Sequence, residues 1–341
     1  MKRFFVLMLV TVAVVSILAV EHTNAQQVYK WDIPFYSPRG TRDFKVLEKW
    51  CADLKVASGG RLDFRALGGG EVMPVIETFE ATSKGTLKIN LSYDSYWTGK
   101  LAVAGFAAMI PPFTLQKRED WTVLYHTYGL KELLRKAYAE HNIYYVAAMP
   151  TNNCVMLTKS PIRKVDDLKG KKVRATGLYA EVLTAAGASA VFFPWGEIYG
   201  ALEKGAIDGV AAGPLGAQVE SAFHEVTKYY LASPLSPTDG FSIHVNMDAW
   251  KALPDDLKLL LEGYGSYASD LWTNLYFSDD AAAREKITKA PWNVTETRLP
   301  PEEIDKTIKF GQVVLDKYSA KDKYFAEASG LLKKYLKALG Q

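Results

Sequence analysis

The sequence predicts an α/β protein built from two domains. Residues 26–341 form a longer chain than one hydrophobic core usually organises. Predicted strands and helices alternate along it, most clearly between residues 171 and 214. Polar, proline-containing segments near Pro150 and at residues 233–237 mark two crossings between domains. We therefore expect residues 26–149 plus about 236–270 in the first domain, and 150–235 plus about 271–341 in the second.

Residues 1–25 have the features of an export signal. Lys2 and Arg3 precede the apolar run 4–20, and the small residue Ala25 ends a plausible cleavage site. An uncleaved membrane anchor is the alternative, because the run has about the length of a membrane span. The polar residues after Ala25 favour cleavage, and the absence of a cysteine after the run argues against a lipoprotein. A periplasmic location is expected.

Charge and cysteine content exclude some function classes. The formal net charge is only +3, and no basic tract is interleaved with aromatic residues, so no nucleic-acid partner is expected. Cys51 lies on an apolar helical stripe, which favours a packing role. A disulfide between Cys51 and Cys154 stays open, because sequence alone does not fix their distance.

The first domain begins as a series of strands and helices. The predicted elements are a strand at Val28–Phe35, a helix ending at Ser58, a strand at 61–66, a helix beginning near Glu71 and a strand at Leu87–Leu91. Gly68–Gly70 could cradle a phosphate before that helix, but no P-loop or dinucleotide spacing accompanies it, so a tight turn is favoured.

Aromatic residues are concentrated in the loops that follow these strands. Tyr36 follows the first strand, and Tyr93, Asp94, Tyr96 and Trp97 follow the strand Leu87–Leu91. Such rings either cap a core or line a mostly apolar ligand pocket. Both interpretations remain open for this loop.

Residues 171–214 read as a βαβαβ unit. Strands are predicted at 172–175, 190–193 and 206–210, with helices at 181–186 and 197–204 between them. Ligands of such units bind beyond the carboxyl ends of the parallel strands. Arg174 and Trp195 both lie at that edge, and a guanidinium there matches a carboxylate in bidentate geometry. The alternative for Arg174 is a surface arginine in the basic run 169–174.

Residues 255–289 read as one unusually long helix bracketed by Pro254 and Pro291. Gly263 and Gly265 lie inside it and weaken the case for an unbroken helix, since each costs roughly 1 kcal/mol relative to alanine. Two amphipathic helices are expected after residue 299.

The order of residues in the βαβαβ unit resembles a transporter family. Asp167–Gly170, Lys172–Arg174, Gly177 and the run Pro194–Gly209 together look like the DctP-type solute-binding proteins of TRAP (tripartite ATP-independent periplasmic) transporters. Further matching segments flank this run, so the resemblance covers nearly the whole mature chain.

The resemblance implies a two-domain periplasmic-binding-protein fold, the Venus-flytrap fold, with crossing hinge strands and a long bracing helix. It implies that Arg174 clamps the carboxylate of a small organic acid, and that the small and large TRAP permease subunits are partners. No enzymatic activity, cofactor or bound metal is expected. The predicted solute contacts are Arg174, Trp195, Tyr93, Asp94, Tyr96, Trp97, Tyr36, Asn153, Tyr179, Ala212 and Phe241.

The chain departs from the family pattern after the Ile-Asp-Gly strand. The 2-oxo-acid branch of the family uses an acidic residue there to hold a cation, whereas this chain has Val210, Ala211 and Ala212. Alanine side chains neither ligate metal nor form hydrogen bonds. We therefore expect a monocarboxylate with an aromatic, branched or 2-oxo body rather than a dicarboxylate or a sugar acid.

Two alternatives come from other function classes. An exported hydrolase would need catalytic machinery, but the five histidines are scattered and no nucleophile or zinc motif is present. Asp94 and Glu197 could form a carboxylate pair for glycoside chemistry, although Glu197 also suits a helix start. A receptor accessory that presents its ligand to a membrane sensor is the other alternative.

Overall fold

The computed structural model describes residues 26–110, 114, 115, 117–236 and 238–340. The predicted export signal and Pro237 of the predicted return crossing lie outside the described residues. The strands are β1 (Tyr29–Pro34), β2 (Leu62–Leu67), β3 (Ile89–Ser92), β4 (Ile143–Pro150), β5 (Cys154–Thr158), β6 (Lys172–Arg174), β7 (Ser189–Val191), β8 (Gly209–Ala211), β9 (Tyr229–Ser236), β10 (Gly240–Asn246) and β11 (Thr295–Thr297).

Helices separate most of these strands. They are α1 (Arg42–Ala57), α2 (Thr78–Ser83), α3 (Gly105–Ala108), α4 (Arg118–His126), α5 (Leu130–Ala139), α6 (Gly177–Ala185), α7 (Ile198–Glu203), α8 (Leu215–Glu220), α9 (Met247–Ala252), α10 (Asp255–Thr288), α11 (Pro301–Ser319) and α12 (Lys323–Ala338). The helix predicted near Glu71 starts later: a 3₁₀ turn at Val75–Glu77 precedes α2, and Gly70 takes a left-handed conformation (φ +83°) that ends the preceding turn.

The strands form two separate groups. In the first, β1 pairs with β2, and β10 lies between β3 and β4. In the second, six strands are ordered β11-β9-β5-β8-β6-β7, with β6 parallel to both β7 and β8. The predicted βαβαβ unit is therefore present as β6-α6-β7-α7-β8. Its first helix begins at Gly177 instead of Glu181. Gly177 itself adopts φ +55°, which few other residues tolerate, so the turn into the helix requires glycine.

Two of the chain crossings between the groups run side by side. One leads from β4 to β5 through residues 151–153, and the other leads from β9 to β10. The backbone N–H of Thr151 donates to the carbonyl of Asp239 at 2.6 Å, which ties the crossings together. Paired crossings of this kind restrict relative motion of the two groups to bending.

Helix α10 braces both groups. Leu257, Leu261 and Trp272 pack into the core around β1, β3, β4 and β10, while Ala283 and Ile287 pack into the core around β5 and β8. Helix α12 packs against α5 and α3 of the first group, with Phe325 against Phe106 at 5.0 Å between ring centroids. The predicted boundaries had assigned that last helix to the second domain.

Helix α10 continues through both glycines without a break. A Cβ atom at Gly265 would lie 2.7 Å from the Cβ of Ala147 on β4, so glycine permits the close approach of helix and strand. A Cβ at Gly263 would meet nothing within 4 Å. The two glycines therefore have different reasons to be present.

We expect Gly265→Ala to destabilise the protein by about 1–3 kcal/mol, because overpacking must push α10 off β4. Gly263→Ala is the matched control in the same helix, and it should raise stability by up to about 1 kcal/mol through helix propensity. Denaturant unfolding of both variants measures the difference. Equal effects of the two substitutions would contradict this explanation.

Candidate functional site

Arg174 ends β6 at the edge where the carboxyl ends of β6, β7 and β8 meet. It pairs in register with Val191 and Val210. The residue is only 2% exposed, its Nε donates to the carbonyl of Phe193 at 3.0 Å, and its Nη2 has no hydrogen-bond partner within the part of the chain that the structure describes. The Phe193 contact fixes the plane of the guanidinium and leaves hydrogen-bond donors free.

Tyrosines of the first strand group form the facing wall. Tyr93 lies between Tyr36 (4.5 Å between ring centroids) and Tyr96 (5.7 Å). Tyr96 then contacts the ring of Phe192 at 5.5 Å, and Phe192 lies 5.9 Å from the Arg174 guanidinium carbon. Desolvation raises the pKa of Tyr36, Tyr93 and Tyr96, so their hydroxyl groups stay protonated at neutral pH.

Buried bonds hold this wall in place. The Tyr36 hydroxyl donates to Asp43 Oδ2 at 2.5 Å and lies 3.0 Å from the Tyr276 hydroxyl on α10. Burial raises the pKa of Asp43 to about 6, while the two tyrosine hydrogen bonds act in the opposite direction. Phe241 is fully buried behind Tyr36 and Tyr93, at 5.2 and 5.6 Å. Phe241 therefore supports the wall from the core.

Trp195 lies at the mouth of a cleft between the two groups. The cleft has a volume of about 380 Å³. It is lined on one side by Tyr36, Pro38, Gly69, Gly70, Pro74, Val75 and Ile76, and on the other by Pro194, Trp195, Gly196 and Glu197. Trp195 Nε1 donates to the Ser221 hydroxyl at 2.9 Å, which fixes the indole orientation. The Gly68–Gly70 segment is thus a turn at the rim of this cleft.

The two groups also touch directly beside Arg174. The Thr176 and Ser95 hydroxyls are 3.0 Å apart, and a Cβ at Gly177 would lie 2.9 Å from the Cβ of Ser95. This contact brings the aromatic loop after β3 against the loop after β6. It also places Tyr96 close to Arg174: burial raises the pKa of the Tyr96 hydroxyl, and the Arg174 charge acts to lower it.

Asp239 is a residue of this site that sequence reasoning missed. Its carboxylate is 3% exposed and accepts hydrogen bonds from the backbone N–H of Gly213 (2.8 Å) and of Gly240 (2.9 Å). Burial raises its pKa to about 6, while those two bonds and the charge of Arg174 act in the opposite direction. A carboxyl residue directly before the all-apolar start of β10 was the available signal.

Four predicted contacts lie away from this wall. Asp94 is fully buried among Tyr138, Ser242 and His244 in the interior of the first strand group. Trp97 Nε1 donates to the same Tyr138 hydroxyl at 2.8 Å. Tyr179 is fully buried in the core that contains Cys154. Asn153 lies half-buried in the β4–β5 crossing.

Ala212 contributes its backbone rather than its side chain. Its carbonyl accepts a hydrogen bond from Gln218 Nε2 at 2.7 Å, and Gln218 also bonds the Val155 carbonyl at 3.1 Å. Gln218 therefore fixes the loop after β8, which leads to Gly213. The missing polar side chains at positions 211 and 212 leave that loop with backbone groups only.

The structure does not assemble the alternative catalytic pair. Asp94 is fully buried with three side-chain partners, whereas Glu197 is exposed at the cleft rim. Among the residues that the structure describes, no group of three or more His, Cys, Asp or Glu side chains is placed to hold a metal ion. Cys51 and Cys154 are both free and buried, so they do not form a disulfide.

Comparison with known proteins identifies the family. The family model for bacterial extracellular solute-binding protein, family 7 (DctP), matches residues 36–322. The monocarboxylate 2-oxoacid-binding periplasmic protein of Nostoc sp. is 26% identical over 288 residues, which are 82% of this chain and 78% of the relative. The ectoine-binding periplasmic protein TeaA of Halomonas elongata is 28% identical over 248 residues, 69% of each chain.

A solved structure agrees with this result. The TRAP periplasmic solute-binding protein of Chromohalobacter salexigens, with bound (S)-(+)-2-amino-1-propanol, has a TM-score of 0.82 at 26% identity and covers 91% of this chain and 96% of its own. The predicted two-domain α/β fold is therefore confirmed. The chain belongs to family 7 of the bacterial extracellular solute-binding proteins, the DctP-type solute-binding proteins of TRAP transporters.

Proposed function

We propose that this protein is the extracytoplasmic receptor of a TRAP transporter and that Arg174 clamps the carboxylate of a small organic acid. The observation that carries the proposal is the buried Arg174, which is 2% exposed and whose Nη2 has no partner among the residues that the structure describes. An arginine stays charged at any working pH, and a buried charge without a partner is costly. A solute carboxylate supplies the missing acceptor in bidentate geometry.

The surroundings of Arg174 favour an apolar solute body. Tyr93, Tyr96, Phe192 and Trp195 offer ring surfaces, while Ala211 and Ala212 offer no side-chain hydrogen bonds. A second carboxylate would lie near the buried Asp239 carboxyl, and the several hydroxyls of a sugar acid would outnumber the polar side chains available. We therefore favour an aromatic or branched monocarboxylate, with 2-oxo acids in the same class, over succinate and sugar acids. The named relatives bind a 2-oxo acid, ectoine or an amino alcohol, so they do not fix the solute.

Delivery of the solute to the membrane permease would use the two-group architecture. Bending at the paired crossings after β4 and β9 would close the cleft over the solute, and the closed form would dock on the small and large permease subunits. Cleavage after Ala25 would release the chain into the periplasm. In the part of the chain that the structure describes, no helix combines the length and apolarity needed to cross a bilayer.

Thermal-shift measurement with small organic acids tests this function. Ligand at a hundredfold excess over its dissociation constant adds about 2.7 kcal/mol of stability. We expect phenyl-bearing or branched monocarboxylates to raise the melting temperature more than pyruvate or succinate. If no organic acid stabilises the protein, the proposed function is wrong. If succinate binds most tightly, backbone groups or waters supply polar contacts and the proposed solute class is wrong.

Trp195→Ala should weaken binding of a phenyl-bearing acid by about 1–3 kcal/mol while leaving pyruvate binding unchanged, because only the larger body reaches the ring. Trp195→Phe is the matched control, since it loses the bond to Ser221 but keeps an aromatic surface. Calorimetric titration of both variants separates the ring from the hydrogen bond. An equal loss for pyruvate would show that Trp195 shapes the whole cleft.

A further inference from the structure

Asp239 is a second buried charge at the solute site, and its bonding capacity is only partly used. Each carboxylate oxygen accepts a single backbone N–H, Oδ2 from Gly213 and Oδ1 from Gly240. A carboxylate has about four lone-pair positions, so roughly two remain. Backbone donors also bring no compensating positive charge into the site.

The position of Gly213 shows which way Asp239 faces. A Cβ atom at Gly213 would lie 3.7 Å from the Trp195 ring and 3.9 Å from Asp239 Oδ2. The carboxylate and the indole therefore border the same space beside Gly213. Gly213 also has a φ of +56°, a left-handed conformation that favours glycine, so the backbone N–H can turn toward Asp239.

Asp239 and Arg174 influence each other electrostatically without forming an ion pair. Arg174 bonds Phe193 and keeps Nη2 without a protein partner, and both bonds of Asp239 come from backbone groups. The effect of the Arg174 charge on the Asp239 pKa places the two groups near each other. The strand register agrees, since Arg174 pairs with Val210, three residues before Gly213, whose N–H donates to Asp239. The site thus presents a cation and an anion near each other, each with unused bonding capacity.

We propose that the solute carries a nitrogen-bound hydrogen near its carboxylate, and that Asp239 accepts this N–H while Arg174 binds the carboxylate. The solute class is then amino acids and cyclic N–H acids with an apolar body. The inference rests on the proposed function, because it assumes that Arg174 holds a carboxylate. Such a solute compensates both buried charges at once, which a plain monocarboxylate does not.

A bridging cation between Asp239 and a 2-oxo acid is the competing explanation. Hard cations prefer six or more oxygen ligands. Asp239 would supply one carboxylate, and Ala211 and Ala212 offer no side-chain oxygen. The described residues also contain no cluster of metal-ligating side chains. The N–H donor is therefore favoured.

Matched acid pairs test the inference in the purified protein. Calorimetric titration compares phenylalanine with 3-phenylpropionate, leucine with 4-methylpentanoate, and pyroglutamate with its lactone analogue, 5-oxotetrahydrofuran-2-carboxylate. Within the pair that binds, we expect the N–H member to bind about 10-fold or more tightly, as for a hydrogen bond to a charged group. This comparison needs no variant, so it stands even if a substitution at position 239 prevents folding.

Two variants locate the effect. Asp239→Asn should reduce the preference within a pair to about threefold or less, because the hydrogen bond loses its charge. Asp280→Asn is the matched control: Asp280 is also a carboxyl with a pKa raised to about 6 by burial, and it also accepts a backbone N–H, from Gly216 at 2.7 Å. It should leave the preference unchanged.

Each remaining outcome contradicts a different statement. Equal binding within every pair, or an unchanged preference in Asp239→Asn, overturns the role of Asp239 and leaves the proposed function intact. If phenylpyruvate binds most tightly and this binding is lost when calcium and sodium are removed, a bridging cation replaces the N–H donor as the partner of Asp239. If neither these acids nor any other organic acid binds, the proposed function fails together with the inference.

Discussion

Arg174→Ala is expected to weaken solute binding by about 2–5 kcal/mol, the usual cost of removing one partner from a buried, hydrogen-bonded charge pair. The solute carboxylate would be desolvated in the cleft without a cation. Arg174→Lys keeps the charge but loses the planar fork, so its binding should fall between those of the parent and of alanine. Calorimetric titration with the acid that most stabilises the parent protein measures both losses.

The fold should survive the Arg174→Ala substitution. Arg174 donates to the Phe193 carbonyl, and its Nη2 has no hydrogen-bond partner among the described residues. Removing a buried and incompletely paired cation should leave the solute-free melting temperature unchanged or higher, as is common where a site sacrifices stability for binding. Arg163→Ala, at an exposed position of the same strand group, is the matched control and should bind like the parent. Parent-like binding by Arg174→Ala would refute the carboxylate clamp.

The site could be predicted where local sequence determines geometry. Arg174 lies at the end of a short strand in a βαβαβ pattern, and the carboxyl edge of such a sheet follows from chirality and short connections. The long helix was predictable from its apolar spacing, although its two glycines argued against continuity. Gly265 is explained by its contact with Ala147, which is distant in sequence. No local pattern shows such a contact.

The aromatic loop after β3 shows why side-chain direction was harder to predict. Residues Asp94–Trp97 form a 3₁₀ turn, in which side chains three residues apart point the same way. Tyr93 and Tyr96 therefore share one side, where they contact Tyr36 and Phe192. Asp94 and Trp97 share the other side, where both bond Tyr138. The sequence predicts an irregular loop here, in which the direction of each side chain is undetermined. All four residues are therefore predicted to contact the solute, although only two share a side.

Asp239 was missed for a different reason. Its role depends on the N–H of Gly213, in the loop after β8, and on the charge of Arg174, at the end of β6. Both partners become neighbours only after the chain has crossed between the strand groups twice. An Asp-Gly pair in a proline-containing segment reads locally as a turn.

Asp94→Ala is expected to destabilise the solute-free protein by about 3–5 kcal/mol, the range for removing one member of a buried polar network. The Asp94 carboxyl accepts hydrogen bonds from the Tyr138 hydroxyl and, at 2.6 Å, from the Ser242 hydroxyl, and it lies 3.0 Å from His244 Nε2. All three partners belong to the first strand group or the helix packed on it, and alanine would remove a buried acceptor that they share. Because these bonds tie β3 to β10 and α5, the loss of stability should appear without any solute, as a lower midpoint in denaturant unfolding.

Asp32→Ala is the matched control: it breaks an exposed ion pair with Arg65 on β2, which should cost about 1 kcal/mol or less. An Asp94→Ala protein that unfolds like the parent but no longer binds the solute would return Asp94 to the binding site and refute its structural role.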